Sequence, residues 1–105
     1  MLINLSNPPS SQWSDNQKVA AIKHYGSIMD TSFPHIDPKA RSEQIIELAR
    51  EYASMITNIA SSAKDNTVVH IMGELTFCFT VVTLLQKEGI PCVVSTSERN
   101  AIVSN

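Results

Sequence analysis

The last strand-like segment of the chain is followed by its densest group of chemically useful side chains. Ser95, Thr96 and Ser97 supply three hydroxyls, and Glu98 and Arg99 add a carboxylate and a guanidinium. A guanidinium can make a forked pair of hydrogen bonds to a phosphate, and hydroxyls can align its oxygens. The pattern therefore predicts a site for an anionic group. A solvated strand end with an internal ion pair between the last two side chains would have the same sequence.

A second group, Gly73-Glu74-Leu75-Thr76, lies where a strand-like segment passes into a helical one. Backbone N–H groups and the helix dipole at such a junction can receive a phosphate, and Glu74 could bond a ribose hydroxyl or act as a base. With one glycine and no following Lys, the segment is neither a dinucleotide fingerprint nor a P-loop. The alternative interpretation is structural: Gly73 permits a tight turn, while Glu74 and Thr76 cap the helix.

The loop after the first strand-like segment is rich in short polar side chains. Ser6, Asn7, Ser10 and Ser11 flank a pair of prolines, which suits a rigid loop that presents hydroxyls and amides to a ligand. Ordinary turn formation explains the same residues. Trp13, the only tryptophan, could stack on a base at the rim of a site or pack as a cap over the core.

The remaining candidate groups are isolated. Asp30 follows a short strand-like segment and could add a carboxylate to the site, although a turn explains it equally well. His24, His35 and His70 have no Cys or acidic partner at ligand spacing, so neither a metal site nor a cofactor is expected. We interpret His70, in the middle of a strand-like segment, as an interior or sheet-face residue with satisfied hydrogen bonds.

The polar groups are positioned by apolar segments that alternate with helical patterns. If the apolar segments are parallel strands, all the polar tips lie along one edge of the sheet, where open α/β sheets bind ligands. The chain is therefore predicted to be a single α/β domain over residues 1–105, a three-layer Rossmann-like fold with a mainly parallel sheet of four to five strands. The strand segments span residues 1–5, 27–30, 67–72 and 91–94, and the helical segments span 15–25, 38–60 and 75–87.

Composition narrows the class and the partners. With 105 residues, 43% of them hydrophobic, the chain has one ordinary core, and a net charge of −2 argues against binding to duplex DNA. No segment has the length of a membrane span or the form of a signal peptide, so we expect a cytoplasmic protein. Cys78 and Cys92 are expected to be buried free thiols. The helix at 75–87 is apolar around nearly its whole circumference, which predicts a homodimer that covers it.

Taken together, four segments resemble small CRISPR-associated Rossmann-like proteins of the CARF superfamily, some of which are ring nucleases. The resemblance spans almost the whole chain, and it implies a homodimer that binds cyclic oligoadenylate across its two-fold axis, at the carboxyl edges of both sheets. Some members of the superfamily then cut the ring without a metal. The segments are Ile3 to Asn7 with Ser10, Ser11 and Trp13; Phe33-Pro34 with Asp37-Pro38; Gly73 to Thr76; and Ser95 to Arg99.

Carried onto this sequence, the resemblance implies a role for each group. It makes Ser11, Thr96 and Arg99 the catalytic candidates, and many CARF sites also carry a Lys, which this edge lacks, so binding is favoured over cleavage. Two other classes remain open: a non-catalytic protein-interaction module, and a small hydrolase that acts on another phosphate or acyl substrate through Glu74 or Glu98. The ligand-binding candidates are Ser6, Asn7, Ser10, Trp13, Gly73, Glu74, Thr76, Ser95, Ser97 and Glu98.

Overall fold

A computed structural model describes residues 1–7, 9–64 and 66–94 of the chain. Within these residues four strands form one parallel sheet in the order β2-β1-β3-β4. This confirms the α/β class and the parallel sheet predicted from the sequence. The strands are β1 (Leu2–Leu5), β2 (Ile28–Thr31), β3 (Val68–Ile71) and β4 (Cys92–Val93), and the α-helices are α1 (Asp15–Tyr25), α2 (Ser42–Ser62) and α3 (Leu75–Lys87).

The sheet is covered by helices on both faces, which gives three layers. Successive side chains of a strand point to opposite faces. Ile3 and Leu5 of β1 belong to the main core and are fully buried, in a cluster with α2 and α3 that includes Ile56 and Phe77. Asn4, between them, points to the opposite face, which α1 covers.

Helix α1 begins and ends where the sequence predicts. The Ser14 hydroxyl accepts a hydrogen bond from the Gln17 backbone N–H at 3.2 Å, and the Gln17 side-chain oxygen accepts from the Ser14 N–H at 3.0 Å. This reciprocal pair satisfies N–H groups that the first turn leaves without helical partners. Gly26 ends the helix at a φ of +89°, a conformation that suits glycine.

Helix α2 begins later than predicted. The Asp37 carboxylate accepts from the Lys39 N–H at 2.8 Å, and the Ala40 N–H donates to the Asp37 carbonyl at 2.9 Å, so this segment is a separate turn. The helix starts at Ser42, and the N–H of the preceding residue, Arg41, donates to the Gln44 side-chain oxygen. The prediction of a helix from Pro38 is wrong because Asp37 caps its own turn instead of a helix.

Helix α3 packs against α2 as well as against the sheet. Phe77, Val81 and Leu85 are fully buried, whereas Leu75 and Phe79 are 80% and 72% exposed. Helix α2 therefore covers part of the apolar circumference that the sequence analysis assigned to a second subunit. What stays uncovered among the described residues is a smaller apolar patch of α3, Leu75 with Phe79.

The strand order creates a topological switch point between β1 and β3. From β1 the chain moves outward to β2, and from β3 it moves the other way to β4. Open α/β sheets bind ligands at the carboxyl ends of the two strands that flank such a point. In the described ranges, no helix combines the length and apolar character needed to cross a membrane.

Candidate functional site

A row of three polar side chains crosses the sheet at the switch point. Asp30 of β2, Asn4 of β1 and His70 of β3 are paired in register on neighbouring strands. The Asn4 amide nitrogen donates to the Asp30 carboxylate at 2.9 Å, and the Asn4 amide oxygen bonds the His70 Nδ1 at 2.8 Å. Asn4 is fully buried and His70 is 8% exposed. These three residues, which we call the polar row, tie three strands together through side chains.

The loop after β1 folds back onto the polar row. The hydroxyl of buried Ser6 donates to the Asn4 amide oxygen at 2.7 Å. The backbone N–H and the hydroxyl of Ser10 donate to the two carboxylate oxygens of Asp30, at 2.9 and 2.8 Å. Two residues predicted to bind ligand are thus held by the row, and the carboxyl ends of β1 and β2 are joined.

The hydrogen bonds determine the protonation of His70. Because the Asn4 nitrogen donates to a carboxylate, the Asn4 oxygen faces His70 and Ser6 and can only accept. His70 must therefore carry its proton on Nδ1, which places the lone pair of the neutral ring on Nε2. Burial lowers the pKa of His70 below its ordinary value, which favours this neutral form at physiological pH.

Asp30 at the other end of the row is ionised. Burial alone would raise the pKa of Asp30, but the hydrogen bonds from Asn4 and from both groups of Ser10 outweigh it, and the net pKa lies below the ordinary value. The row thus carries a negative charge at β2 and a neutral imidazole at β3.

A cleft of about 460 Å³ opens beside the row, between α1 and the sheet. We call it the α1 cleft. Leu2, Ala21 and Val93 supply apolar surface, and the rings of Trp13, Tyr25 and His70 line it as well. Trp13 meets His70 edge to face, with 5.6 Å between ring centroids and 81° between planes. The cleft therefore adjoins the polar row, and His70 belongs to both.

The residues at the start of α3 have structural roles. The Glu74 carboxylate accepts from the Phe77 N–H at 2.7 Å and caps the helix. It thus occupies an N–H group that a phosphate at this helix end would need. Gly73 lies against the ring of Phe33, and a Cβ at Gly73 would overlap that ring. Thr76 is half-buried, and its carbonyl accepts from the Thr80 hydroxyl at 2.8 Å.

The structure brings together only some of the candidates named from the sequence. Ser6, Ser10 and Trp13 meet at the polar row and the α1 cleft, while Asn7 and Ser11 are exposed on the same loop. Sequence reasoning did not single out Asn4, although an amide inside the buried strand Leu2–Leu5 needs partners and was a usable signal. The candidates Ser95, Thr96, Ser97, Glu98 and Arg99 lie outside the described residues.

The two cysteines are half-buried free thiols. Burial, with a further contribution from the Glu74 charge, raises the pKa of Cys78 to about 11, and burial raises the pKa of Cys92. Both side chains are therefore protonated and weakly nucleophilic at neutral pH. In the part of the chain that the structure describes, no three His, Cys, Asp or Glu side chains are grouped as a metal site.

Comparison with known proteins identifies a family and no individual relative. No curated protein and no solved structure is significantly similar to the chain. Residues 1–104 match the family described as "Uncharacterized protein MJ1673 family". Because the match extends over nearly the whole sequence, the chain belongs to the MJ1673 family.

Proposed function

We propose that the protein is a nucleotide-binding domain whose ligand is a cyclic oligonucleotide messenger of the oligoadenylate type. It would act in the cytoplasm as a homodimer, within CRISPR-associated antiviral defence, as the resemblance to the CARF superfamily implies. The structural observation that carries the proposal is the polar row at the switch point, with Ser6 and Ser10 attached to it. Ligands of open α/β sheets bind at this position in the fold.

The chemistry of the row suits a ribose better than a phosphate. A carboxylate has about four acceptor positions, and the hydrogen bonds from Asn4 and Ser10 use three of those of Asp30. A ribose hydroxyl can donate to the fourth, as acidic residues do at the carboxyl edge of dinucleotide-binding sheets. The Asp30 charge would repel a phosphate placed there. The proposal therefore assigns phosphate binding to Arg99, which follows β4 closely in the sequence.

Cleavage of the ring is the enzymatic form of the same proposal. A ribose 2′-hydroxyl would attack the adjacent phosphorus, the bond from phosphorus to the 5′-oxygen would break, and the proton would pass to that leaving oxygen. The products are a 2′,3′-cyclic phosphate and a 5′-hydroxyl. Such a step depends on alignment and charge stabilisation, the roles proposed for Ser11, Thr96 and Arg99. It needs no metal, so activity should survive EDTA.

Calorimetric titration with a panel of cyclic oligoadenylates tests binding, and chromatography of the same mixtures tests cleavage. Arg99→Ala should weaken binding by about 2 kcal/mol or more, as for a charge-assisted bond whose partner stays buried. Arg99→Lys should recover part of the loss, because an ammonium cannot make the forked contact. Arg50→Ala, at an exposed position on α2 where Arg50 meets Glu47 at 3.6 Å, is the control. Failure of every ring size to bind would refute the proposal.

One observation favours the rival class, a non-catalytic interaction module. Leu75 and Phe79 expose large apolar side chains next to each other on α3. Adjacent exposed apolar side chains are typical of a protein contact surface. A protein that assembles through this patch and binds no cyclic oligonucleotide would belong to that class.

A further inference from the structure

We infer that the free edge of strand β2 is a docking site for an extended peptide segment of another protein, which adds to the sheet as an antiparallel strand. The segment that fits carries a Lys or Arg opposite Asp30 and apolar side chains opposite Met29 and Ile28. The inference is independent of the proposed function, because it rests on the main chain of an edge strand.

The pairing of β2 with β1 determines which main-chain groups face outward. Strand β2 is at one end of the strand order, so it has a neighbour on one side only. The Leu2 N–H donates to the Ser27 carbonyl at 2.8 Å, and because every second residue of a parallel strand faces a given neighbour, the groups of Met29 also point to β1. Those of Ile28 and Asp30 point away from the sheet. Within the described ranges, neither residue forms a main-chain hydrogen bond on that outer side.

Strand β2 lacks the features that commonly prevent an edge strand from pairing. Natural edges are often protected by Lys, by Pro or by a bulge. The segment Ile28–Thr31 contains neither residue type and pairs with β1 in an unbroken register. Its only charged side chain, Asp30, is bonded to Asn4 of β1 and to Ser10. In the part of the chain that the structure describes, the edge is therefore open to another strand.

Apolar side chains flank this edge on both faces of the sheet. Met29 is in register with Ile3, so it lies on the face covered by α2 and α3, and it is 37% exposed. On the other face, Ile22 of α1 is 51% exposed. Ala20 lines the α1 cleft on the side of β4. Ile22 is about 200° around the helix from Ala20, so it lies on the side of β2. A partner strand with apolar side chains would cover both exposed residues.

Asp30 determines the charge that the partner should carry. Its carboxylate is ionised and exposed, and Asn4 reaches it from the side of β1. The residue of a partner strand opposite Asp30 would lie on the outer side. Opposite charges at such a cross-strand position stabilise a pair of strands, and like charges destabilise it. A Lys or Arg is therefore favoured there, and an Asp or Glu is disfavoured.

Antiparallel pairing uses every outward main-chain group of the strand. The residues opposite Ile28 and Asp30 would each exchange both main-chain hydrogen bonds with their partner. The residue between them would lie opposite Met29 in a non-hydrogen-bonded pair, where side chains are closer. An extended polypeptide presents donors and acceptors at this alternate spacing, and strand addition to an open edge is an established mode of peptide recognition.

A fluorescein-labelled synthetic peptide, Thr-Thr-Lys-Val-Val-Thr-Thr, tests the pairing by fluorescence anisotropy. Antiparallel to β2, its Lys lies opposite Asp30, its first Val opposite Met29 and its second Val opposite Ile28. We expect saturable binding of this peptide. N-methylation of the Lys and of the second Val removes N–H groups that face β2 and should weaken binding at least tenfold. N-methylation of the first Val, whose N–H points away from β2, is the matched control and should leave the affinity unchanged.

Two variants at Ile28 separate the main chain from the side chain. Proline is tolerated in an edge strand where the N–H that it replaces points to solvent. Ile28→Pro therefore removes an outward donor without removing a bond to β1, and it should weaken peptide binding at least tenfold. Ile28→Val keeps the N–H and should bind within about twofold of wild-type protein. Replacing the Lys of the peptide by Glu should weaken binding about two- to fivefold.

Two results would overturn the inference. One is equal binding of the two N-methylated peptides, or no saturable binding of the unmodified peptide, to wild-type protein; this comparison also decides if Ile28→Pro is unfolded by circular dichroism. The other is an edge occupied by a second copy of the chain. In that case Met29→Cys would form an intermolecular disulfide in oxidising buffer, and wild-type protein would bind no peptide.

Discussion

The centre of the polar row gives the sharpest test of the structure, because Asn4→Ala removes the hydrogen bonds to Asp30, Ser6 and His70 at once. The Ser6 hydroxyl and His70 Nδ1 are buried donors that would lose their acceptor, and each such loss costs about 1 to 3 kcal/mol. Asp30 is exposed, so water can replace the Asn4 amide there. We therefore expect Asn4→Ala to lower the free energy of unfolding by about 2 to 5 kcal/mol.

Urea unfolding measures this loss. For a domain of this size, with a slope of about 2 kcal/mol per molar urea, a loss of about 3 kcal/mol lowers the midpoint by about 1.5 M. Ser6→Ala is the comparison, because it removes one donor and leaves the bond between Asn4 and His70 in place. It should cost about 0.5 to 1.5 kcal/mol.

The expected result is an ordering as well as a magnitude. Asn4→Ala must lower the free energy of unfolding clearly more than Ser6→Ala does. Both variants must keep the wild-type dependence of that free energy on urea concentration if the native state is otherwise unchanged. A loss below about 1 kcal/mol for Asn4→Ala, or equal losses for the two variants, would show that the amide is not the centre of a buried network.

Three further outcomes are expected. Burial lowers the pKa of His70 from its ordinary 6.5, so the unfolded chain binds more protons than the folded protein as the pH falls below that value. The contribution of His70 to the free energy of unfolding should therefore be fully present above pH 6.5 and decrease towards pH 5. His70→Gln should reduce this pH dependence in urea titrations at several pH values. Phe79→Glu should convert the proposed dimer to a monomer by light scattering, whereas Val19→Glu, on an equally exposed apolar position, should not; a monomeric wild-type protein at micromolar concentration would contradict the interface. Gly73→Ala should cost about 1 to 3 kcal/mol because the Phe33 ring must move, and a Phe33→Ala background should remove most of that cost in a double-mutant cycle.

The elements that the sequence predicted correctly are those with local signals. Helix α1 carries its own cap at Ser14 and its own stop at Gly26, so both ends could be placed from neighbouring residues. The start of α2 was misplaced because Asp37 followed by proline is compatible with a helix start and with a turn, and only the hydrogen bonds to Lys39 and Ala40 decide between them.

The sequence predicts a candidate site at the carboxyl edge of the sheet, where the polar row lies, but it does not identify Asn4, the central residue of that row. Asn4 and His70 are 66 positions apart, and their bond depends on the register of β1 against β3, which no local pattern specifies. The same limit affected α3. Its apolar circumference predicted burial on several sides, but whether α2 or a second subunit provides the cover depends on tertiary packing.

The polar row also helps to determine the register in which the strands of this sheet pair. Shifting β1 by a single residue against its neighbours would turn Asn4 into the face filled by α2 and α3, and would turn Ile3 and Leu5 out of it. An amide trapped there would lose its hydrogen bonds to Asp30, Ser6 and His70, while His70 and Asp30 would lie beside aliphatic side chains of β1. A shift of one residue is therefore destabilising for two reasons, because it leaves the Asn4 amide unsatisfied and removes Ile3 and Leu5 from the core. Strand β1 has only four residues, which is a short sequence from which to define a register. The polar row compensates for this, because its hydrogen bonds form only when β1 lies between β2 and β3 in the observed register.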